Sequence, residues 1–108
     1  MKRFVKVGGE MISLPAMELV IGKNLPSSEG EVTSALTYVE EAGQRPIICL
    51  FVTPEIQTDV DTVNGFLRDA GLSNLTRIRK VISIEEMPLL GTGKTNYRAL
   101  TEQLKRSM

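Results

Sequence analysis

The hydrophobic positions at the start of the chain favour β-structure. Two short runs of β-prone residues, 4–7 and 11–14, flank the pair Gly8-Gly9. Glycine reaches the positive φ angles of a tight two-residue turn at little cost, because it has no Cβ atom. The pattern therefore predicts a β-hairpin at the beginning of the chain.

Two later stretches have the spacing of helices. Residues 15–21 are expected to form a short helix, capped by Ser13 and ended by Gly22. Residues 58–70 give the clearest helical pattern, because their apolar side chains recur every three or four positions. Thr58 is expected to cap this second helix, since an aspartate follows it three residues later as in a capping box.

Three apolar runs predict the strands of a central sheet, over residues 32–39, 46–52 and 78–85. The second run is apolar at nearly every position, which is typical of a central strand with both faces covered. A last helix is expected over residues 96–105. Together these elements predict an α/β domain of the α+β type: a small two-stranded N-terminal hairpin plus a three-stranded sheet flanked by helices.

Composition narrows the possible functions. The chain has 108 residues, enough for one domain with its own core. Its 13 basic and 13 acidic residues cancel, so nothing indicates a nucleic-acid or membrane-surface partner. Histidine is absent, which excludes histidine-based catalysis and metal binding. The single cysteine, Cys49, lies in an apolar run and is expected to be a buried thiol in a reducing compartment. No apolar run reaches membrane-spanning length.

One loop near the C-terminus carries the candidate chemistry. Residues 88–95 read Pro-Leu-Leu-Gly-Thr-Gly-Lys-Thr. The two glycines let the backbone approach a ligand, and Lys94 supplies a cation at the tip of what is expected to be a flexible arm. Thr95 or Asn96 can cap the helix that follows, which would bring its positive dipole end near Lys94. The loop is expected to bind an anion; the alternative is an ordinary surface loop with a solvated lysine.

The same loop matches the end of a phosphate-binding loop, G-x-x-x-x-G-K-[ST], whose backbone N–H groups cradle phosphates. That motif requires its first glycine at position 88, where this chain has Pro88. Only residues 96–108 follow the loop, too few for the βα units that would carry a Mg²⁺-binding aspartate. These two mismatches argue against a phosphate-binding loop of this kind.

The loop also resembles the closing motif of the AMP-forming acyl and aryl ligases, the superfamily of acyl-CoA synthetases, luciferases and peptide-synthetase adenylation domains. In that family a Pro-x-x-x-x-Gly-Lys loop precedes the last helix. Lys94 falls on the family's adenylation lysine, with Gly91, Thr92 and Gly93 as loop support. Asn96 stands where many members have Asp; it keeps the cap but lacks the charge.

The start of the chain resembles the hinge motif of the same family. The resemblance places Lys2 on the hinge position, Lys6 on the family's second functional lysine, and the Gly8-Gly9 turn on the pantetheine tunnel. The family's leading Gly-Arg is missing here, so the hinge could also be Arg3. We therefore expect a C-terminal domain that begins at or just before the hinge.

The resemblance implies that residues 1–108 form a single C-terminal lid domain whose N-terminal adenylation core is absent. Its motifs look most like the acyl-ACP synthetase and 2-acylglycerophosphoethanolamine acyltransferase group. Thr76, where a proline commonly precedes the third strand, is a departure from the family pattern.

The resemblance also implies the substrates and partners. ATP and Mg²⁺ would be bound mainly by the chain's own N-terminal adenylation domain, together with a fatty acid, and the thiol acceptor would be coenzyme A or the pantetheine of acyl carrier protein. No metal is expected in this domain, no nucleic acid and no direct membrane insertion. The location would be cytoplasmic, compatible with membrane association of the parent enzyme. The isolated domain is expected to be inactive. Two alternatives remain: a stand-alone nucleotide-binding module, and an interaction domain that keeps the fold without ligase activity.

Overall fold

The computed structural model describes residues 3–25, 33–40 and 45–106. The predicted hinge residue Lys2 lies outside these ranges. The strands and helices follow in chain order: β1 (Phe4–Val7), β2 (Glu10–Ser13), α1 (Leu14–Asn24), β3 (Ser34–Val39), β4 (Ile47–Val52), α2 (Val60–Asp69), β5 (Lys80–Ser83) and α3 (Tyr97–Arg106). The predicted α+β class is confirmed, with the hairpin and the three-stranded sheet as expected.

The N-terminal hairpin forms as predicted. β1 and β2 pair antiparallel with Val7 opposite Glu10, so Gly8 and Gly9 alone make the turn. Both glycines have positive φ, 57° and 87°. The valines of β1 are buried in the core, whereas Lys6 on the other face of the strand is exposed. The hairpin therefore presents Lys6 to the outside beside a rigid turn.

The helix boundaries differ from the prediction at two caps. Ser13 caps α1 as expected, its Oγ accepting a hydrogen bond from the N–H of Ala16 at 3.2 Å. However, α1 continues through Gly22 to Asn24, because Gly22 does not adopt the positive φ of a helix stop. At the start of α2 the cap is Asp59, not Thr58.

The Asp59 carboxylate accepts a hydrogen bond from the N–H of Thr62 at 2.8 Å. This bond lowers the pKa of Asp59 below its ordinary value, because it favours the ionised form. Both Thr58 and Asp59 are residue types that cap helices well, so local preference alone could not choose between them.

The central sheet has the strand order β3-β4-β5, which confirms the prediction that the second apolar run is the central strand. β3 pairs antiparallel with β4, and β4 pairs parallel with β5. Alternate side chains of β4 enter two separate cores. Ile48, Leu50 and Val52 pack with the hairpin, α1 and α2. Cys49 and Phe51 pack with α3. The N-terminal hairpin and α3 therefore lie on opposite faces of the sheet.

Asn64 of α2 fixes the segment that leads into β5. Its side chain donates to the carbonyl oxygen of Ile78 at 3.1 Å and accepts from the N–H of Ile78 at 2.8 Å. We expect Asn64→Ala to lower the free energy of unfolding by about 2 kcal/mol, because the backbone N–H and carbonyl groups of the buried Ile78 both lose their side-chain partner. Chemical denaturation measures this change. The control Asn74→Ala removes an exposed asparagine and is expected to cost less than about 0.5 kcal/mol; equal losses would contradict the assigned role.

Candidate functional site

The loop that carries Lys94 is a closed hairpin rather than an open flexible arm. We call residues 88–96 the Lys94 hairpin. Three backbone pairs close it: Pro88 with Asn96, Leu89 with Thr95, and Leu90 with Lys94. The N–H of Leu90 donates to the carbonyl oxygen of Lys94 at 2.7 Å. These bonds fix the backbone on both sides of the lysine.

The turn of this hairpin is set by Gly93. Its N–H donates to the carbonyl oxygen of Leu90 at 2.9 Å, and its φ is +87°. A four-residue turn whose last residue is a glycine with positive φ makes a common three-residue hairpin loop with a bulge. Gly91 and Thr92 therefore form the tip, and the prediction that Lys94 stands at the tip is wrong by two residues. Lys94 lies on the returning side, opposite Leu90.

The base of the Lys94 hairpin is anchored on the α3 side of the sheet. Ile84 and Met87, which lead into it, are buried in the core beneath α3. On the other side Asn96 caps α3, its Oδ1 accepting from the N–H of Ala99 at 3.1 Å. This confirms one of the two predicted caps and places the positive end of the α3 dipole at the base of the hairpin.

Lys94 itself is exposed. Within the described residues the ion pairs are Arg3–Glu18, Arg68–Asp69 and Arg106–Glu102, so none joins Lys94 to a carboxylate. A Cβ atom added at Gly91 would meet no atom within 4 Å. The hairpin can therefore offer a positive charge and an open backbone to an anion outside the chain.

The second group of predicted residues lies on the N-terminal hairpin. Lys6, Gly8 and Gly9 are all exposed there. A Cβ atom at Gly8 would stand 3.4 Å from the side chain of Leu75 and 3.8 Å from that of Arg45, whereas at Gly9 it would meet no atom within 4 Å. Gly9 thus borders open space among the described residues.

A groove of about 320 Å³ opens beside Gly8. Its apolar floor is rimmed by Arg45, Arg77 and Arg79, and none of the three pairs with a carboxylate of the described residues. The sequence prediction missed these arginines. The sequence does indicate Arg77 and Arg79, because they flank the apolar Ile78. Neighbouring side chains of an extended segment point in opposite directions, and Ile78 is buried, so the two arginines point away from the core.

The structure therefore brings the predicted residues together as two separate groups. The Lys94 hairpin is anchored in the core beneath α3, whereas the N-terminal hairpin packs into the core on the other face of the sheet.

A second feature that the sequence prediction missed is a polar cluster at the free edge of β3. The guanidinium of Arg3 pairs with the carboxylate of Glu18 and donates to the carbonyl oxygen of Leu36 at 2.7 Å. Glu18 accepts from the N–H of Leu36 at 2.9 Å and from the hydroxyl of Tyr97 at 3.1 Å. The guanidinium carbon lies 3.6 Å from the centre of the Tyr97 ring. We call Arg3, Glu18 and Tyr97 the edge clasp.

Other chemistries find little support in the described residues. Burial raises the pKa of the Cys49 thiol to about 12, against a smaller lowering by the charge of Lys80, so this cysteine stays protonated and cannot act as a thiolate nucleophile. Nowhere in residues 3–25, 33–40 and 45–106 do three metal-binding side chains cluster so as to hold an ion. No helix in these ranges has the length and apolarity to cross a membrane.

Known structures share this fold. No protein-family model matches the chain. MbtA from Mycobacterium smegmatis matches 94% of this chain with a TM-score of 0.76 and 17% identity. The fatty acyl CoA synthetase of Mycobacterium tuberculosis matches 96% with a TM-score of 0.71 and 21% identity, and ATP-bound MatB from Rhodopseudomonas palustris matches 96% with a TM-score of 0.72 and 23% identity. The chain spans 19% of the length of MbtA and 20% of each of the others. Its fold is that of the C-terminal domain region of adenylate-forming ligases.

Proposed function

We propose that the chain is the mobile C-terminal domain of an AMP-forming acid–thiol ligase and that it supplies Lys94 to the adenylation step. The observation that carries the proposal is the exposed lysine, free of carboxylates of the described residues, held on an anchored hairpin. The fold supports it, because similar domains form about a fifth of synthetases that include a fatty acyl CoA synthetase.

In the first half-reaction a carboxylate oxygen attacks the α-phosphate of ATP, and pyrophosphate leaves as the acyl-adenylate forms. Two anions must approach each other, and the transition state gathers negative charge around phosphorus. Lys94 meets this charge as a compact cation that need only be positioned, since the step asks it for no proton transfer. ATP, Mg²⁺ and the acid are held mainly by the N-terminal adenylation domain.

In the second half-reaction a thiol sulfur attacks the acyl carbon, and AMP leaves as the thioester forms. The domain turns about Lys2 and presents its other face, where Lys6 and the Gly8-Gly9 turn line the approach of the pantetheine arm. The packing of the two hairpins that carry these lysines against opposite faces of the sheet supports this division of labour. Gly9 suits the passage because no atom of the described residues lies within 4 Å of the place where a Cβ atom would stand.

The thiol acceptor is proposed from the chemistry of the face beside Gly8, and the acyl group from the sequence motifs. The three arginines beside Gly8, none of which pairs with a carboxylate of the described residues, suit an acceptor that carries phosphate groups, as coenzyme A does, or an acidic carrier protein that bears pantetheine. A fatty acid is proposed as the acid because the motifs resemble those of the acyl-ACP synthetase group. The proposed location is the cytoplasm.

A binding experiment separates this proposal from a self-contained nucleotide-binding module. Titration of Mg-ATP into the 108-residue chain is expected to release almost no heat, because neither the exposed Lys94 hairpin nor the groove beside Gly8 encloses a nucleotide. Isothermal titration calorimetry measures it. The positive control is the chain together with its adenylation core, which is expected to bind Mg-ATP in a saturable manner. Saturable binding by the chain alone would contradict the proposal.

A further inference from the structure

The edge clasp joins the two layers of the domain around the free edge of the sheet. β3 is an outer strand, so the N–H and carbonyl groups of Leu36 that face away from β4 would otherwise be unpaired. Glu18 of α1 and Arg3 satisfy these two groups. Tyr97 reaches the same carboxylate from α3, on the opposite face of the sheet. One cluster thus connects the layer of the N-terminal hairpin with the layer of the Lys94 hairpin.

The edge clasp fixes Arg3, the first residue that the structure describes, through both its backbone and its side chain. The carbonyl oxygen of Arg3 accepts from the N–H of Leu14 at 2.9 Å, while the guanidinium is held by Glu18, Leu36 and the Tyr97 ring. The Arg3 and Glu18 side chains are only 13% and 20% exposed. A part-buried, hydrogen-bonded ion pair is far stiffer than a solvated one. The proposed pivot at Lys2 therefore adjoins a rigid attachment.

The two functional lysines depend differently on this attachment. Lys6 lies on β1, three residues after Arg3, and the pairing of β1 with β2 already fixes its position relative to the pivot. Lys94 lies at the far end of the chain, and Tyr97 is the first residue of the helix that its hairpin leads into. The clasp is a direct polar connection between that helix and the pivot segment.

We propose that Arg3, Glu18 and Tyr97 are positioning residues, which hold the Lys94 hairpin at a fixed angle to the hinge and so serve the adenylation step selectively. This inference rests on the proposed function. Loss of the contacts within the clasp would let the Lys94 hairpin move relative to the hinge and displace Lys94 from the reacting phosphate. Displacements of about 1 Å can cost on the order of a hundredfold in rate. Lys6 would stay in place, because the pairing of β1 with β2 holds it.

Tyrosine variants test the clasp without removing either lysine. Tyr97→Phe keeps the ring under Arg3 but removes both hydroxyl contacts with Glu18, at 3.2 and 3.1 Å. In the complete ligase it is expected to slow adenylate formation roughly fivefold, and Tyr97→Leu, which also removes the ring, roughly fiftyfold. Single-turnover pyrophosphate release measures this step. Thioester formation from supplied acyl-adenylate is expected to change less than about twofold.

Tyr38→Phe is the matched control, because Tyr38 is another half-buried tyrosine but lies outside the clasp; neither half-reaction is expected to change. Equal slowing of both half-reactions by Tyr97→Phe and Tyr97→Leu would show a general structural role and overturn the inference. Unchanged adenylation in Tyr97→Leu would overturn it as well. If Lys94→Ala also left adenylation intact, the proposed function would fail instead, so the two failures are distinguishable.

Discussion

Replacing Lys94 with alanine in the complete ligase is expected to slow acyl-adenylate formation about a thousandfold. A cation about 4 Å from the reacting anions contributes roughly 4 kcal/mol at an effective dielectric constant of about 20. About 1.4 kcal/mol corresponds to a tenfold change in rate, which gives the expected factor. Release of pyrophosphate in a single turnover measures the step without interference from thioester formation.

Three comparisons make this result specific. Thioester formation from supplied acyl-adenylate is expected to be largely spared in Lys94→Ala, since the α-phosphate is no longer attacked in that step. Lys105→Ala removes an equally exposed lysine from α3 and is expected to leave both half-reactions unchanged. Lys94→Arg keeps the charge but not its compact shape, so its rate is expected to fall between those of the wild type and the alanine variant. Equal loss of both half-reactions in Lys94→Ala would contradict the assigned role.

The parts of the fold that the sequence predicted well depend on local signals. The two-residue turn at Gly8-Gly9 requires residues that tolerate positive φ, and both glycines adopt it. The short, uninterrupted apolar run of β4 is typical of a strand covered on both faces, and β4 is central in the sheet. The helix boundaries were predicted less well. Thr58 and Asp59 are both suited to cap α2, and a glycine such as Gly22 can lie within a helix as well as end one.

The candidate site was predictable in its residue types but not in its geometry. The sequence around Lys94 fits a lysine at the tip of a hairpin as well as a lysine on its returning strand. The choice depends on the conformation of Gly93, which closes the turn so that Gly91 and Thr92 form the tip and Lys94 does not. Lys94 is exposed in either arrangement, and its role in adenylation stays a prediction.

The edge clasp and the arginine groove could not be predicted from local spacing. Glu18 and Tyr97 are 79 positions apart in the sequence and meet only because α1 and α3 both reach the edge of β3. Arg3 stood out in the sequence only as an alternative position for the hinge, and nothing nearby in the sequence pointed to Glu18 or Tyr97 as its partners. Long-range polar clusters of this kind become visible only when the layers of the fold are assembled.

Replacing Lys6 with alanine is expected to have the reverse selectivity, slowing thioester formation by roughly ten- to a hundredfold while adenylate formation changes little. Lys6 is exposed beside the Gly8-Gly9 turn and lies on the face of the sheet opposite the core that anchors the Lys94 hairpin. Its charge would therefore meet the incoming acceptor only after the domain has turned. Transfer of a labelled acyl group from supplied acyl-adenylate to the thiol measures this step.

Lys23→Ala is the control for Lys6→Ala, because Lys23 is an exposed lysine in the last turn of α1 and is expected to affect neither half-reaction. The double variant that lacks both Lys6 and Lys94 gives the sharper result. If each lysine serves one orientation of the domain, adenylation in the double variant is as slow as in Lys94→Ala, and thioester formation is as slow as in Lys6→Ala. A Lys6→Ala variant with slow adenylation would mean that both lysines act in one closed state, and the turning mechanism would then be wrong.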